Sequence, residues 1–370
     1  MSTEATIIIE TVEVGDPGNA PIGIVPFKPE FPDPTQAAEF VGRVDYKYEI
    51  ARYEITVAQY VTFLNAVDPT GANQLQLWDP FMDPTKDAYR GQVKRDLGMP
   101  AGKRYAVAAP CWQNKPIAFI DFFRASRFVN SIHNGQSVRT TVSPGVFRYE
   151  CRFSPEIDSG VYNLRNQQTF GAAAGRQAVR GFVLPSQDEW IKAAYYSPKE
   201  LPSGRHYWRF PTCSDVAPTP ATCDACGNVT NAGPGSGAVA NYGNAAVWCP
   251  SGCAAGTSSG CVPPDGNPGN LTDVGACRSP SPWGTFDQGG NVVEWTDTIV
   301  APPDGSPNPA NQCIWRQVHG GIAIAADYQL WLSATGATDP YGQALGNVRA
   351  FGGFRPARLP GFDPNNGNDG

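Results

Sequence analysis

The segment Phe286–Trp295, which reads FDQGGNVVEW, limits the fold of this chain more than any other stretch. Its glycine pair predicts a tight turn, because glycine readily adopts positive φ angles. The residues that follow are typical of a β-strand that carries one glutamate between apolar neighbours. Asp287, Asn291 and Glu294 supply side-chain oxygens close together, and a hard cation binds about six to eight oxygens, including backbone carbonyls. The segment therefore predicts either a partial cation site or a hydrogen-bonded turn that leads into a core strand.

The same segment carries a resemblance to a known family. GNVVEW is similar to the GNVWEW signature of the formylglycine-generating-enzyme family, also called the sulfatase-modifying-factor family. Four further segments resemble motifs of that family in the same order: Tyr53–Val67, Pro116–Gly135, Phe182–Tyr196 and Gly352–Arg358. The resemblance implies an α+β fold, the C-type lectin-like fold of the formylglycine-generating-enzyme type, rich in irregular loops. It does not by itself imply the enzyme activity, because one fold hosts many functions.

The resemblance also implies a metal. The segment from Asp287 to Glu294 resembles a calcium loop of the family. In that loop the ligands would be the side chains of Asp287 and Glu294 and the backbone carbonyls of Gly290 and Val292. A calcium-contacting segment of the family resembles the residues around Asn241, which is a second, weaker cation candidate. Calcium is therefore the cofactor that the resemblance predicts.

Composition bounds the architecture. The chain has 370 residues with 40 glycines and 35 prolines, which favours many turns and long irregular connections over long helices. We expect an N-terminal strand and connection over residues 1–45, packed on a main domain over residues 46–360. A cysteine-rich insertion covers residues 213–277 of that domain, and residues 361–370 form a tail.

Charge and hydropathy exclude several classes of partner. The net charge is −6 and no run of lysine or arginine occurs, so nucleic acid and anionic membrane surfaces are not expected partners. No apolar stretch approaches the roughly 18–20 residues that span a bilayer. The first residues lack the basic region of a secretory signal. We therefore expect an intracellular protein or a component of a phage particle, with a homo-oligomer or larger assembly left open.

Local patterns predict the main secondary structure. Thr56 is positioned to cap a helix, and Ser186 with Glu189 forms a capping box at the start of another. These patterns make Glu189 a cap and not a catalyst. The predicted strands are 7–14 and 45–55, the predicted hairpin joins 146–152 to 160–164, and a further helix covers 119–132 and ends near His133.

The cysteines are concentrated in one region. Seven of the ten fall within residues 213–277. Cys223-x-x-Cys226 followed by Cys249-x-x-x-Cys253 has the form of a four-thiolate zinc site, although the loop between the pairs is longer than in a zinc ribbon. The alternative is a disulfide-stapled insertion. A region this rich in Gly, Ser and Pro needs cross-links to stay ordered, which slightly favours disulfides.

The residues needed for the family's oxidase chemistry are missing. In the active enzymes of the family, a reactive cysteine pair binds copper. It lies between a Gly-Gly segment, here Gly320-Gly321, and a final Gly-Phe-Arg strand, here Gly353–Arg355. This chain has no cysteine from residue 318 to residue 370, and Cys313 is single. A thiolate cannot be replaced by the side chains found there, so copper is not expected. Three histidines, His133, His206 and His319, follow no ligand pattern, and no catalytic residue is predicted.

The final block, residues 322–351, mixes aromatic, small polar and charged residues without a lasting helical or strand period. Such a mixture is typical of recognition surfaces. It resembles the C-terminal segment that variable proteins of diversity-generating retroelements present to ligands, as in phage tail-fibre tips and surface adhesins. The alternative is that its aromatic residues belong to the core, with Trp331 and Phe351 the best candidates for partial burial. The predicted ligand-binding residues are Ile322, Ile324, Asp327, Tyr328, Gln329, Trp331, Ser333, Thr335, Asp339, Tyr341, Gln343, Asn347, Arg349 and Phe351.

Two functions follow from these observations. The first is a non-catalytic protein that binds a protein or glycan receptor through the final block. The second is a formylglycine-generating-enzyme-like oxidoreductase or sulfatase-modifying enzyme that acts without the usual cysteine pair. The missing cysteines and the aromatic-rich block favour the first.

Overall fold

The computed structural model describes residues 5–24, 38–165, 175–177, 180–250, 266–300, 315–326, 336–338 and 348–360. The helices are α1 (Val57–Val67), α2 (Phe122–Asn134), α3 (Gln187–Tyr195) and α4 (Val348–Phe351). The strands are β1 (Thr6–Val14), β2 (Ile22–Ile24), β3 (Glu39–Val41), β4 (Tyr48–Ala51), β5 (Val93–Arg95), β6 (Tyr105–Val107), β7 (Ser137–Ser143), β8 (Val146–Arg152), β9 (Gly181–Val183), β10 (Thr219–Pro220), β11 (Val239–Ala240), β12 (Val293–Val300), β13 (Trp315–His319), β14 (Gly336–Thr338), β15 (Gly352–Gly353) and β16 (Ala357–Leu359).

The larger sheet has six strands in the order β7-β8-β1-β4-β16-β9. β1 pairs antiparallel with both β8 and β4, so the N-terminal strand is an internal strand of this sheet. Ile7 and Ile9 are buried while Ile8 between them is 42% exposed. That alternation is what a strand shows when one face of its sheet packs on the core. The strand predicted over residues 7–14 is confirmed.

The hairpin prediction named the wrong partner for residues 146–152, which form β8. β8 pairs with β7 and not with residues 160–164. The turn that joins them lies at Pro144-Gly145, where Gly145 has a φ of 74°, and a Pro-Gly pair is a turn signal in its own right. Residues 160–164 form no strand; instead the Tyr162 N–H donates to the side chain of Asn130 at 2.9 Å. The strand predicted over residues 45–55 is also shorter, since only β4 pairs within it.

The helix starts follow local capping chemistry. Thr56 and Gln59 form a capping box at α1, and Ser186 and Glu189 form the predicted one at α3. α2 begins after Asp121, whose carboxylate accepts the N–H of residue 124 at 2.7 Å, and not at residue 119. The later start has a backbone cause, because residue 119 has a φ of 59° and lies outside the helical region.

The cysteine-rich insertion is tied to the main domain at three points. Cys226 forms a disulfide with Cys111, which lies 115 positions earlier in the chain. Lys115 is buried and its ammonium lies 2.5 Å from the carboxylate of Asp273. The rings of Trp112 and Trp248 are also in contact, with centroids 4.7 Å apart. A covalent bond, an ion pair and an aromatic contact thus join residues 111–115 to the insertion.

A second sheet has four strands in the order β14-β13-β12-β15, and three further sheets have two strands each. β12 pairs antiparallel with β13 and parallel with β15. It contains the last three residues of the GNVVEW signature, and its first four residues are buried. Within the described parts of the chain, no helix is both long enough and apolar enough to cross a membrane.

Candidate functional site

The loop before β12 turns through three left-handed residues. Asp287, Gly290 and Asn291 have φ angles of 58°, 94° and 61°. A Cβ atom on Gly290 would lie 2.2 Å from the backbone oxygen of Asn241, so only glycine fits there. The Asn291 N–H donates to that same oxygen at 2.8 Å. The glycine of the signature therefore brings the backbone of residue 241 against the loop.

Glu294 forms a fully buried ion pair with Arg355 of the GGFR motif. The Arg355 Nη2 lies 2.6 Å from Glu294 Oε1, and its Nε lies 2.6 Å from Oε2. The indole N–H of Trp190 also donates to Oε2 at 2.8 Å. Burial alone would lower the pKa of Arg355, but the adjacent Glu294 carboxylate outweighs it and raises that pKa. Both carboxylate oxygens of Glu294 are thus engaged.

The two ends of the final block meet at the same residue. Glu294 is the register partner of His319 on β13 and of Gly353 on β15. His319 immediately precedes the Gly320-Gly321 pair, and Gly353 follows Phe351. β13 and β15 therefore flank β12 on opposite sides, and the segment between them contributes β14 to the outer edge of the same sheet.

The sequence model of one protein family matches most of the chain. The family is that of the sulfatase-modifying factor enzyme 1-like domain, and the match covers residues 16–358. The chain belongs to the sulfatase-modifying factor enzyme 1-like family. Its α+β, C-type lectin-like fold, predicted from the five ordered motifs, is confirmed.

Solved structures of similar fold cover nearly the whole chain. The crystal structure of CarF is 17% identical, with 95% of this chain and 99% of CarF covered and a TM-score of 0.45. Treponema denticola variable protein 1 is 16% identical, with 95% of each chain covered and a TM-score of 0.42. PvdO from Pseudomonas aeruginosa is 13% identical, with 96% and 94% covered and a TM-score of 0.41. No curated protein matches the chain.

Asn291 is the centre of a buried polar network in this family member. Its side-chain oxygen accepts from the Asn241 amide and the Thr272 N–H, each at 3.0 Å. Its amide donates to Glu54 at 3.2 Å and to the Thr272 carbonyl at 3.3 Å. Asn291 is thus fully satisfied, but three neighbours each keep one buried oxygen without a hydrogen-bond partner: Glu54 Oε1, Asn241 Oδ1 and Thr272 Oγ1.

Charge around this network is unbalanced. Burial raises the pKa of Glu54 well above its usual range, and the nearby carboxylates of Asp287 and Glu294 raise it further. Burial likewise raises the pKa of Asp287 to about 6. Three buried carboxylates therefore lie near one guanidinium, that of Arg355. An uncompensated buried charge is costly unless a cation or a proton neutralises it.

The predicted calcium ligands fit a cation unequally. Glu294 does not fit, because its two oxygens are already neutralised by Arg355. Asp287 and Asn241 fit better, since Asn241 has an unpaired oxygen and Asp287 accepts a hydrogen bond from the Gly275 N–H at 2.5 Å. Glu54 adds a carboxylate oxygen that sequence analysis did not consider. No group of three His, Cys, Asp or Glu residues arranged for a metal occurs in the described ranges, so calcium stays a prediction, with Glu54 in place of Glu294.

The predicted ligand-binding residues divide into three groups. Ile322 is 8% exposed, Phe351 is fully buried, and Ile324 packs partly buried against the core. The guanidinium of Arg90 lies over the Phe351 ring at 4.7 Å. Arg349 lies in α4. The others lie outside the described residues: Asp327, Tyr328, Gln329, Trp331, Ser333, Thr335, Asp339, Tyr341, Gln343 and Asn347.

Three thiols of the described chain, those of Cys151, Cys223 and Cys277, are not activated. Burial raises the pKa of Cys151 to about 12. It also raises the pKa of Cys223 to about 11 and places that of Cys277 well above the usual range. Cys226 is in the disulfide with Cys111, so the zinc alternative would require that bond to be reduced. Cys253, Cys261 and Cys313 lie outside the described residues.

The histidines are separate, as the sequence indicated. Nδ1 of His133 lies 3.1 Å from the Phe182 carbonyl, and Nδ1 of His206 lies 3.0 Å from the Ser197 carbonyl. His319 is 3% exposed and stacks on Trp190 with centroids 4.9 Å apart. Burial lowers the pKa of His319 to about 3, so its ring is neutral at pH 7.

The family motifs in the sequence contain Glu54, Trp190 and Arg355 but did not assign them to the site, and the structure shows that these residues surround it. A signal was present for two of them. Glu54 and Arg355 are charged residues placed between aromatic or aliphatic neighbours in predicted strands, and a charge in such a position is buried only when it is paired. The partner of each could not be read from the pattern, because Glu54 bonds Asn291 across 237 positions of the chain and Arg355 pairs with Glu294 across 61.

Proposed function

We propose that this family member is a non-catalytic binding protein that presents residues 322–351 as its recognition surface. Phage host-recognition proteins and surface adhesins use surfaces of this kind. In this proposal the five family motifs form a rigid frame, and the final block contacts the ligand. A binding site must be held by rigid elements if its contacts are to be specific.

The observation that carries the proposal is the anchoring of the block at Glu294. His319 and Gly353, one at each end, are both register partners of this residue. The strand that holds them is fixed by the Glu294–Arg355 ion pair. A segment whose ends are fixed this closely can change its sequence outside β14 and the buried Ile322 and Phe351 without disturbing the sheet.

The buried residues of the block support a separation between residues that anchor the segment and residues that contact the ligand. Ile322 and Phe351 lie near the two ends and pack in the core, which makes them anchors of the segment and not ligand contacts. Binding energy is expected from the residues between them. Aromatic and arginine side chains dominate most interfaces, which selects Tyr328, Trp331 and Tyr341.

The thiol chemistry supports a binding role over oxidation. The enzymes of the family use a reactive cysteine pair, and this chain has no cysteine after Cys313. The thiolate is the reactive form of cysteine. Cys151, Cys223 and Cys277 have raised pKa values because of burial, so little thiolate forms on them at neutral pH.

The partner class follows from charge and composition. A net charge of −6 without a basic patch in the sequence disfavours nucleic acid. Aromatic residues mixed with small polar residues are typical of surfaces that bind proteins or glycans. We therefore propose a protein or glycan receptor as the ligand.

The test is a screen on glycan and protein arrays, followed by alanine substitution. Tyr328→Ala, Trp331→Ala and Tyr341→Ala should each weaken binding by about 1–3 kcal/mol while the melting temperature stays the same. Leu97→Ala is the matched control, because Leu97 is an apolar residue 57% exposed in the turn between β5 and β6. Binding that responds to Leu97→Ala but not to the three aromatic substitutions would place the ligand elsewhere and overturn the proposal.

A second assay addresses the enzyme alternative. The purified chain is loaded with copper and incubated with a thiol-containing peptide, and oxidation of the peptide is followed by mass spectrometry. We expect no turnover above that of a Cys213→Ser variant, which removes an exposed thiol. Turnover at the rate of an ordinary enzyme would remove the binding-only interpretation.

A further inference from the structure

β7 forms one end of the six-stranded sheet, and its outer edge has no partner strand among the described residues. All seven of its residues are exposed. Val138 is 63% exposed and Val142 is 53% exposed, so two large apolar side chains lie on one short edge strand. The sequence SVRTTVS is rich in residues that favour strands and contains no proline or glycine. An edge of this kind is a template for a further strand.

The single charged residue of β7, Arg139, does not prevent a further strand from pairing with this edge. Proteins commonly protect edge strands with charged side chains that point outward into solvent. Arg139 instead turns back over its own sheet, where its guanidinium lies 3.7 Å from the centroid of the Phe147 ring. Its Nη2 also lies 3.1 Å from Glu49 Oε1. The charge of Arg139 is therefore neutralised within its own chain, and the edge presents little electrostatic repulsion to an approaching strand.

The sequence of the edge is nearly its own reverse. Read from either end, the strand gives serine, valine, one differing position and threonine. If two copies pair antiparallel about Thr140, Val138 of one lies opposite Val142 of the other, and Ser137 lies opposite Ser143. The one charged residue then lies opposite Thr141 and not opposite its own copy. Cross-strand valine pairs stabilise a sheet, whereas like charges directly opposite destabilise it.

We propose that two copies of this chain associate through β7, antiparallel and centred on Thr140, so that their six-stranded sheets become continuous. A second copy is the occupant because the complementarity is that of the strand with itself. Val142 falls at the register shift between Thr141 and Ser143 of the β7–β8 ladder, so it is not aligned with a β8 residue. The association does not depend on the proposed recognition role.

The dimer is expected to be weak. A single pair of seven-residue strands buries less surface than the roughly 1,600 Å² of a standard interface. Association should therefore depend on concentration, and it is measured by sedimentation equilibrium over about 1 µM to about 1 mM. The average mass is expected to rise from 39.6 kDa toward twice that value.

Paired variants test the register itself. Val138→Lys together with Val142→Lys places lysine opposite lysine twice, and dimerisation should fall at least tenfold. Val138→Lys together with Val142→Glu places lysine opposite glutamate twice in the same register, and dimerisation should return to near the wild-type level. Val216→Lys is the control for added charge at an exposed valine, because Val216 is 75% exposed and lies outside β7. Circular dichroism melts confirm that all variants fold.

Three outcomes would overturn the proposal. One is a monomeric mass over the whole concentration range. Another is a dimer that the double lysine variant leaves intact, or that the lysine–glutamate variant fails to restore. The third is a dimer that Val216→Lys removes, because association would then use another surface.

Discussion

Glu294 and Arg355 join the six-stranded and four-stranded sheets of this protein through one buried ion pair. Glu294 lies on β12 of the four-stranded sheet. The Arg355 guanidinium binds its carboxylate and also donates to the Ala51 carbonyl on β4 of the six-stranded sheet at 3.2 Å. It further donates to the Phe286 carbonyl at 2.7 Å, which fixes the loop before β12. The signature motif and the GGFR motif are therefore two halves of one structural device.

Replacing Arg355 should destabilise the fold strongly. Arg355→Met leaves the Glu294 carboxylate buried without its cation, and we expect the free energy of unfolding to fall by about 3–5 kcal/mol. Urea denaturation measures the change. The control is Arg205→Met, which removes an exposed pair with Asp215 and should cost about 0–1 kcal/mol. A loss for Arg355→Met as small as that of the control would mean that the pair does not hold the sheets together.

Chelation should lower the melting temperature if a cation occupies the Glu54 network. Excess chelator removes the ion, and the carboxylates of Glu54 and Asp287 are then left unneutralised. Glu54→Gln should lower the melting temperature in calcium and abolish the response to chelator. Glu150→Gln, at an exposed position of β8, is the control and should keep the response. Differential scanning calorimetry with and without calcium measures both effects.

The sign of the Glu54→Gln effect separates the two outcomes for this site. Without a cation, Glu54 is a buried carboxyl with one unpaired oxygen, and removing its charge should leave stability equal or raise it. A melting temperature that rises in Glu54→Gln, together with a wild type that ignores chelator, would reject calcium.

His319 should make the protein less stable in mild acid. Burial lowers its folded pKa to about 3, while an unfolded histidine titrates near 6.5. Between these values the unfolded chain binds the proton, so this contribution is complete above about pH 6.5 and is lost as the pH falls, by about 1.4 kcal/mol per unit. His319→Gln should flatten this slope relative to wild type, and His206→Gln, at a site bonded to the Ser197 carbonyl, should not.

The comparison between variants is needed because the carboxylates act in the opposite direction. A folded pKa raised to about 6 for Asp287 makes its contribution fall as the pH rises through that value. The difference between wild type and His319→Gln cancels this background. Equal slopes for the two proteins from pH 7 to pH 5 would show that His319 is solvated in its folded environment.

Reduction should detach the cysteine-rich insertion. The Cys111–Cys226 disulfide closes a separation of 115 positions, and loss of a cross-link of this kind costs about 2–5 kcal/mol. Cys111→Ser should lower the melting temperature accordingly, and Cys213→Ser, at an exposed thiol, should leave it unchanged. Alkylation without reductant followed by mass spectrometry should label Cys213 and leave the disulfide pair unlabelled. Labelling of Cys111 and Cys226 in the oxidised protein would contradict the pairing.

Local signals in the sequence determined much of this protein. The N-cap at Thr56, the capping box at Ser186, the strand at residues 7–14 and the five ordered motifs were predicted and are found in the structure. Each of these features depends on residues within a few positions of one another. Capping is a contact between a side chain and the backbone three residues later, so its pattern is complete in the sequence.

Tertiary structure alone decided the partners. The pairing of β8 with β7, the disulfide from Cys226 to Cys111 and the ion pair from Glu294 to Arg355 join positions whose patterns fit several alternatives. From the sequence alone, Glu294 fits the role of a cation ligand as well as that of an ion-pair partner. Only the structure shows that the Arg355 guanidinium lies 2.6 Å from its carboxylate. Which neutralises it depends on how the two sheets pack, because a buried charge takes whichever opposite charge the fold brings within reach.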